Sequence, residues 1–381
     1  MFYNNLIHNN KFFSLIENYY KKDKIPHSIL LYGKKGIGKQ GHAIELASSL
    51  NCTNRSNYLS CGRCHSCIQL KSMQHPNIHF IIPFPRKKIL SKKDQPEKAL
   101  STKDIDELIK IKKAKIIDPY SDFNLQNANT ILINSIRFLK KELYNTSIEK
   151  GWKIILIFEA EKLCIPGPES ANSLLKILEE PPAKTIFILV TNEYNKILKT
   201  IKSRCQNFYF NKLSFQKIRT HLDSKMINDN DLKLLNKIFD GDFNLIKKNL
   251  KKINDFNKKI NKLFDYILNC NSTSQNHIYF DKLNIDKLNW FDYMKLFIIV
   301  LRDLQILKSS STIKNLHLKK NIETYNKILK RYPNAVWSNC ISSIEKTNII
   351  IKQNVYFPLA LKTLSIEIKN NLLNQTQKSF I

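Results

Sequence analysis

The segment ILLYGKKGIGKQ, residues 29–40, decides the fold of this 381-residue chain. Its first four residues are apolar or aromatic and predict a short buried strand. The remainder fits the phosphate-loop pattern G-x-x-x-x-G-K, in which the glycine-rich backbone surrounds phosphates and the lysine reaches the β- and γ-phosphates. The predicted nucleotide-binding positions are Gly33, Gly36, Gly38, Lys39 and Gln40.

Gln40 departs from this pattern at the position that normally carries Ser or Thr. The hydroxyl of that residue ligates Mg²⁺ in a working loop, and an amide stands here instead. We therefore expect impaired metal binding, and the loop leaves open whether ATP or ADP is bound. Lys39 has two interpretations. It binds phosphate as in a working loop, or it is an ordinary solvated lysine of a degenerate loop.

Alternating strand and helix signals continue the fold on both sides of the loop. Continuous apolar runs at 153–158 and 185–191 predict strands buried on both faces, as a parallel sheet requires. The other predicted elements are a strand at 75–83 and helices at 11–21, 41–50, 104–112, 131–144 and 171–180. The alternation predicts a doubly wound α/β domain with a parallel sheet at residues 1–210.

Beyond this domain the sequence reads as helical. Strand signals fade after about residue 210, and the best helical periodicity lies at 291–307 and 355–373. We expect helical domains at 211–270 and 276–381, joined by the polar linker 271–275. Within the first domain, a cysteine-rich module occupies about 51–70, and a lysine-rich insertion, expected to be a solvated surface, occupies about 86–118.

Four of the eight cysteines, Cys52, Cys61, Cys64 and Cys67, fall together as C-x₈-C-x₂-C-x₂-C. Two-residue spacings let neighbouring thiolates converge on one tetrahedral ion, and four thiolates close such a site to water. We therefore predict a structural zinc site, with an iron–sulfur cluster as the less favoured alternative. The other four are expected to be buried apolar residues: Cys164, Cys205, Cys270 and Cys340.

The composition is strongly basic, with a formal net charge of +30. A basic surface favours nucleic acid. However, only 8 of the 62 basic residues are Arg, and Lys, Asn and Ile crowd the whole chain, as codon drift in an AT-rich genome would produce. Both origins of the charge remain open. No apolar run reaches the length of a membrane helix, and the first residues lack the order of a signal peptide, so we expect a soluble cytoplasmic protein.

Several motifs together resemble the clamp-loader branch of the AAA+ proteins, and within it the bacterial delta-prime type. The resemblance covers roughly residues 8–210 and is most specific in its last two motifs. The motifs are Ile25-Pro26-His27-Ser28, Cys61-Gly62-Arg63-Cys64 with Cys67, His75-Pro76-Asn77, ANSLLKILEEPP at 171–182, and Ser203-Arg204-Cys205.

The resemblance implies an ATPase-type first domain with a zinc module, a small helical lid at 211–270 and a helical collar at 276–381. It implies a hetero-oligomeric ring with ATPase subunits of the gamma/tau type and a delta-type subunit. This ring loads the sliding clamp onto primed DNA at the replisome. It further implies that Arg204 reaches into the ATP site of a neighbouring subunit as an arginine finger. The alternative for Arg204 is an ion pair within the chain.

Three departures from the family pattern argue against ATP hydrolysis by this chain. Gln40 replaces the metal-ligating hydroxyl, Phe158 stands where the acidic strand motif has Asp, and Asn244 stands where the lid has a sensor Arg. Phosphoryl transfer depends on metal and cations for positioning and charge neutralisation. The resemblance with these departures implies a non-hydrolysing subunit that supplies Arg204 in trans. Glu159 is either a residual general base or a residue with a structural role.

Two other functions remain open on the sequence. One is an active ATPase subunit of the gamma/tau type, although the resemblance implies that such a subunit keeps all three groups. The other is a zinc-dependent nucleic-acid-binding protein with a vestigial phosphate loop. The pair Thr191–Asn192 lies at the family's sensor position after the strand 185–191, or it simply ends that strand.

Overall fold

Five short segments assemble into one parallel sheet in the computed structural model of this chain. The strands are β1 Ser28–Gly33, β2 Ile78–Ile81, β3 Lys153–Phe158, β4 Thr185–Thr191 and β5 Gln206–Phe210. Their order across the sheet is β2-β3-β4-β1-β5. The residues described are 1–22, 24–56, 58–88, 90–144, 151–222, 228–270, 283–287, 289–309, 316–353 and 355–374.

The central strands are the ones that the apolar runs predict. All seven residues of β4 are buried, and β3 is buried from its second residue onward. Leu30 of β1 pairs with Leu189 of β4, and Leu156 of β3 pairs with Ile188. Because helices cover both faces of a parallel sheet, its strands read as continuous apolar runs.

The sheet edges depart from the sequence prediction. The predicted strand 75–83 shortens to β2, because the flanking residues leave the sheet around the two prolines. The edge strand β5 was not predicted, since Gln206 and Asn207 are exposed and polar and interrupt its apolar pattern. An edge strand pairs on one side only and needs no continuous apolar run.

The helices follow the strands in the order that a doubly wound fold requires. Those before the sheet is complete are α1 Asn10–Lys21, α2 Lys39–Asn51, α3 His65–Lys71, α4 Thr102–Ile117, α5 Ile133–Tyr144, α6 Glu169–Glu179 and α7 Lys199–Arg204. Those after it are α8 Phe215–His221, α9 Asp229–Ile238, α10 Phe243–Asn249, α11 Ile253–Asn269, α12 Trp290–Ser309, α13 Ile322–Arg331, α14 Trp337–Lys352 and α15 Phe357–Leu373. The architecture is the predicted α/β domain with a parallel sheet, followed by a helical C-terminal region.

The chain divides into two compact units. The first comprises Met1–Asp223 together with Gly241–Leu245, and the second comprises Ser224–Asp240 together with Ile246–Ile381. In the first unit, α5 and α6 pack on one face of the sheet in a core that includes Leu139, Ile155 and Leu174. The three-part division at 210 and 270 remains a prediction, and the linker 271–275 lies outside the described residues.

The second unit is entirely helical among its described residues. Its core contains the fully buried Trp290 and Phe297 of α12. Asp303 of the same helix is buried and accepts hydrogen bonds from the backbone of His317 and Leu318 and from the Tyr325 hydroxyl. None of the described helices is long and apolar enough to span a membrane.

The lysine-rich insertion contains the predicted helix, which extends beyond 104–112 to Thr102–Ile117. Helix α4 begins with a capping box, in which Ser101 Oγ accepts from Asp104 N and the Asp104 carboxylate accepts from Ser101 N. Most of its lysines lie at least partly in solvent, as expected. Lys115 does not, because its side chain is 1% exposed.

Candidate functional site at the phosphate loop and the cysteine cluster

Gly36 and Gly38 give the loop between β1 and α2 its shape. Their φ angles are +73° and +91°, in the left-handed region that favours glycine. A Cβ at Gly36 would lie 1.9 Å from Oδ1 of Asp242, and the Gly36 carbonyl accepts a hydrogen bond of 3.1 Å from Phe243 N. The segment 241–245 therefore packs directly onto the predicted phosphate cradle.

Lys39 points into the loop and is 4% exposed. Its Nζ donates to Gly33 O at 2.9 Å, to Lys34 O, and to Asn192 Oδ1 at 2.9 Å. Burial lowers the pKa of Lys39 to about 7. The solvated alternative for Lys39 is wrong, and Asn192 at the sensor position contacts this lysine directly.

Gln40 contacts a residue that the sequence analysis did not single out. Its Oε1 accepts a hydrogen bond of 2.8 Å from Lys115 Nζ. Lys115 also donates to Pro119 O and Ser121 O, each at 2.8 Å. Burial lowers the pKa of Lys115 to about 7. The loop, the end of α4 and the residues after it line one cavity of about 40 Å³.

The ends of β3 and β4 carry the next predicted positions. Phe158 is fully buried, with its ring 5.5 Å from Phe123 and 6.2 Å from Phe80, so it belongs to the core. Glu159 lines the cavity and forms an ion pair of 2.7 Å with Lys162.

Asn244 follows the loop-packing Asp242 in the segment 241–245. Its Nδ2 donates to Asp122 Oδ2 at 3.3 Å, and the other oxygen of Asp122 lies 3.1 Å from Lys35 Nζ. Burial raises the pKa of Asp242. The sensor-like segment thus presents an amide and a carboxylate to the loop, where the family pattern has an arginine.

Arg204 lies at the end of α7, apart from the cavity. Its side chain is about one-third exposed; Nη2 forms an ion pair of 2.5 Å with Glu179, and Nη1 donates to Thr200 O at 3.0 Å. The hydroxyl of Ser28 donates to Arg204 O at 2.5 Å and fixes the backbone there. The ion pair expected as the alternative is therefore present, and the guanidinium still borders solvent.

The four predicted cysteines converge. Their sulfur atoms all lie within 4.8 Å of one another, and Cys52 and Cys64 Sγ are 3.8 Å apart. Bonds of about 2.3 Å to a tetrahedral ion place thiolates about 3.8 Å from each other, so the cluster can hold one metal ion. It is the one such group among the described His, Cys, Asp and Glu residues.

Backbone donors surround these sulfurs. Cys52 Sγ accepts from Cys61 N at 3.2 Å, and Cys61 Sγ accepts from Cys64 N at 3.3 Å. The N–H of Arg63, followed by other contacts, lowers the pKa of Cys61, whereas burial raises that of Cys67 to about 12. Gly62 at φ +69° allows the tight turn between the ligands.

Glu45 joins the cysteine module to the phosphate-loop helix. Its carboxylate, fully buried on α2, accepts from Ser60 Oγ at 2.7 Å and from Phe2 N at 2.9 Å. Tyr3 N donates to the same group at 3.3 Å. A change in the module therefore reaches α2 through this buried carboxylate, which would lose its hydrogen bonds from Ser60.

Fold and site together define a P-loop protein of the AAA+ class. A family described as "DNA polymerase III, delta subunit" matches residues 8–214, and this chain belongs to that family of clamp-loader subunits. The subunit delta' of Bacillus subtilis DNA polymerase III is 28% identical over 221 residues, 58% of this chain.

Other relatives carry two subunit names. The subunit gamma/tau of Mycoplasma pneumoniae is 27% identical over 208 residues, 55% of this chain and 24% of its own length. The subunit delta' of Buchnera aphidicola is 27% identical over 325 residues, 79% of this chain and 85% of its own. The chain spans about half the length of the B. subtilis relative, 53%, and a smaller share of the gamma/tau protein.

Proposed function

We propose that this chain is the non-hydrolysing, delta-prime-type subunit of a replicative clamp loader. It would help to load the sliding clamp onto primed DNA and supply Arg204 to a neighbouring ATPase subunit. The observation that carries the proposal is the replacement of both metal-supporting groups, one lining the cavity and one buried in the core of the same unit. Gln40 binds Lys115, and Phe158 is enclosed by aromatic rings.

Transition-state chemistry supports the absence of hydrolysis. Charge on the transferred phosphoryl group is neutralised mainly by metal and fixed cations. Asn244, held by Asp122, adds no cation on the lid side of the loop. With the hydroxyl, the Asp and the sensor Arg replaced, turnover at this site falls by several orders of magnitude.

The position of Arg204 supports a role in trans. An arginine finger must reach a γ-phosphate outside its own subunit, and this side chain borders solvent at the end of α7. Exposed ion pairs contribute little stability, so exchanging Glu179 for a phosphate costs little. The backbone bond from Ser28 holds the helix end while the side chain exchanges partners.

We further propose that the cysteine cluster holds zinc and that the helical second unit joins a hetero-oligomeric ring. Four cysteine thiolates, of which Cys52 and Cys67 are buried, form a site closed to water. Such a site suits a structural zinc ion. The partners would be ATPase subunits of the gamma/tau type and a delta-type subunit, at a cytoplasmic replisome. Membrane contact has no place in this function.

An active gamma/tau-type ATPase is the second candidate, favoured by the match to the M. pneumoniae protein. A zinc-dependent nucleic-acid-binding protein is the third, favoured by the net charge of +30. The third predicts strong, salt-sensitive DNA binding by the chain alone, lost on chelation. The clamp-loader subunit binds DNA weakly alone and assembles stably with partners.

The first test is ATP turnover by the purified full-length chain with Mg²⁺. We expect no turnover above background, because the site lacks its metal-supporting groups. A competent gamma/tau-type subunit, measured in parallel, serves as the positive control. Turnover at an ordinary enzymatic rate, about 1 s⁻¹ or faster, would instead establish the second candidate.

A further inference from the structure

We propose that the phosphate loop is closed to nucleotide by the chain's own Lys115, whose ammonium binds Gln40 at the position of the missing metal ligand. This goes beyond the proposed function, which requires only that ATP is not hydrolysed here. A subunit that binds ATP without cleaving it would satisfy that function and contradict this inference.

In its charged form, which prevails below its pKa of about 7, Lys115 has no hydrogen left for a phosphate. An ammonium group has three N–H donors. Lys115 directs them at Gln40 Oε1, Pro119 O and Ser121 O, each at 2.8 Å. The side chain is 1% exposed, so water does not share these bonds. The long amide of Gln40 reaches this cation, which the short hydroxyl of Ser or Thr could not.

The hydrogen-bond donors of Lys39 are likewise taken by acceptors of the chain itself. Its three donors point at Gly33 O, Lys34 O and Asn192 Oδ1. A phosphate that entered the loop would have to break these buried bonds before it gained any donor from the lysine. Leaving a buried carbonyl or amide unpaired is unfavourable, so the internal arrangement resists exchange.

The size of the cavity and the charge beside it also disfavour nucleotide binding. The cavity measures about 40 Å³, whereas pockets for small-molecule ligands range from about 300 to 1,000 Å³. The Asp242 carboxylate rests on Gly36, on the backbone that would face the phosphates. Two negative groups in one buried place repel each other, so Asp242 disfavours a triphosphate there.

Nucleotide binding by designed variants of the full chain tests the inference. The probe is ATP with Mg²⁺, up to 1 mM, measured by calorimetry on the wild type, Lys115→Ala, and Lys115→Ala combined with Gln40→Thr. The matched control is Lys113→Ala, an exposed lysine on the same helix. We expect no binding by the wild type or the control and at least a tenfold gain in affinity by the double variant.

Two results would overturn the inference. One is ATP binding by the wild type, which leaves the proposed function intact as long as turnover is absent. The other is failure of both folded Lys115 variants to bind, since Lys115 would then not be what closes the loop. Far-UV circular dichroism establishes that each variant is folded.

A second measurement needs no variant. Lysines of the native wild type are acetylated briefly and mapped by mass spectrometry, with and without 1 mM ATP. We expect Lys115 and Lys39 to react at least tenfold more slowly than Lys113, with no change on adding ATP. Fast modification of Lys115, or an effect of ATP on Lys39 and Lys115, contradicts the closed loop.

Discussion

Gln40 and Lys115 lie 75 positions apart in the sequence and form one hydrogen bond of 2.8 Å in the fold. A buried ammonium is unfavourable unless acceptors surround it, and here three oxygens do so. The unusual Gln40 of the phosphate loop is therefore one member of a buried, hydrogen-bonded pair, and Lys115 is the other. A change to either member leaves the other with an unpaired polar group.

Titration of the buried Lys115 makes the stability of the fold depend on pH. The pKa of Lys115 is lowered from 10.5 to about 7, so between pH 7 and 10.5 the unfolded chain binds more protons at this residue than the folded chain does. The free energy of unfolding of the wild type therefore rises with pH in this window relative to Lys115→Met. The difference should grow by up to about 1.4 kcal/mol per pH unit.

Urea unfolding at pH 7.5 and 9.0 measures this difference. Lys113→Met on the same helix is the control and should follow the wild type at both pH values. A wild-type advantage over Lys115→Met that stays constant or shrinks between pH 7.5 and 9.0 contradicts a lowered pKa at Lys115.

Sequence patterns predicted some residues of the site and missed others for physical reasons. Gln40, Phe158 and Asn244 stand out because each breaks a local motif. Lys115 was missed because a lysine within a lysine-rich helix is ordinarily solvated. Its burial depends on a partner far along the chain and on the turn at Pro119 and Ser121, which no local pattern reveals.

At the scale of elements, local patterns predicted the centre of the sheet and missed its edge. β3 and β4 are buried on both faces and therefore read as unbroken apolar runs. β5 pairs only with β1 and exposes Gln206 and Asn207, so its pattern is weak. The cysteine module was predictable because ligand spacing is a local property.

The cysteine module carries its own prediction. Native protein in reducing buffer should contain one zinc per chain by metal analysis. Removing it with a strong chelator should lower the melting temperature, because Glu45 and the turn at Gly62 depend on the module's shape. Cys64→Ser should lose the metal, and Cys164→Ser, outside the cluster, should keep it. Absence of zinc from the wild type contradicts the site.

At the scale of the whole molecule, the first unit carries the phosphate loop, the cysteine module and Arg204. The family match covers residues 8–214 and ends within this unit. In the proposed function, the chain's own loop does not cleave ATP, and Arg204 serves the ATP site of a neighbouring subunit.

The central claim is most directly tested in a clamp loader reconstituted with this chain and its partner subunits. Arg204→Ala is compared with Lys199→Ala, an exposed charge on the same helix. An arginine finger contributes about 10³-fold or more to turnover at its site. Arg204→Ala should therefore abolish the share of DNA-stimulated ATPase that comes from the neighbouring subunit's ATP site. The ring should still assemble, as judged by size-exclusion chromatography. Lys199→Ala should match the wild type in both measurements. Unchanged ATPase in an assembled Arg204→Ala ring would contradict the account.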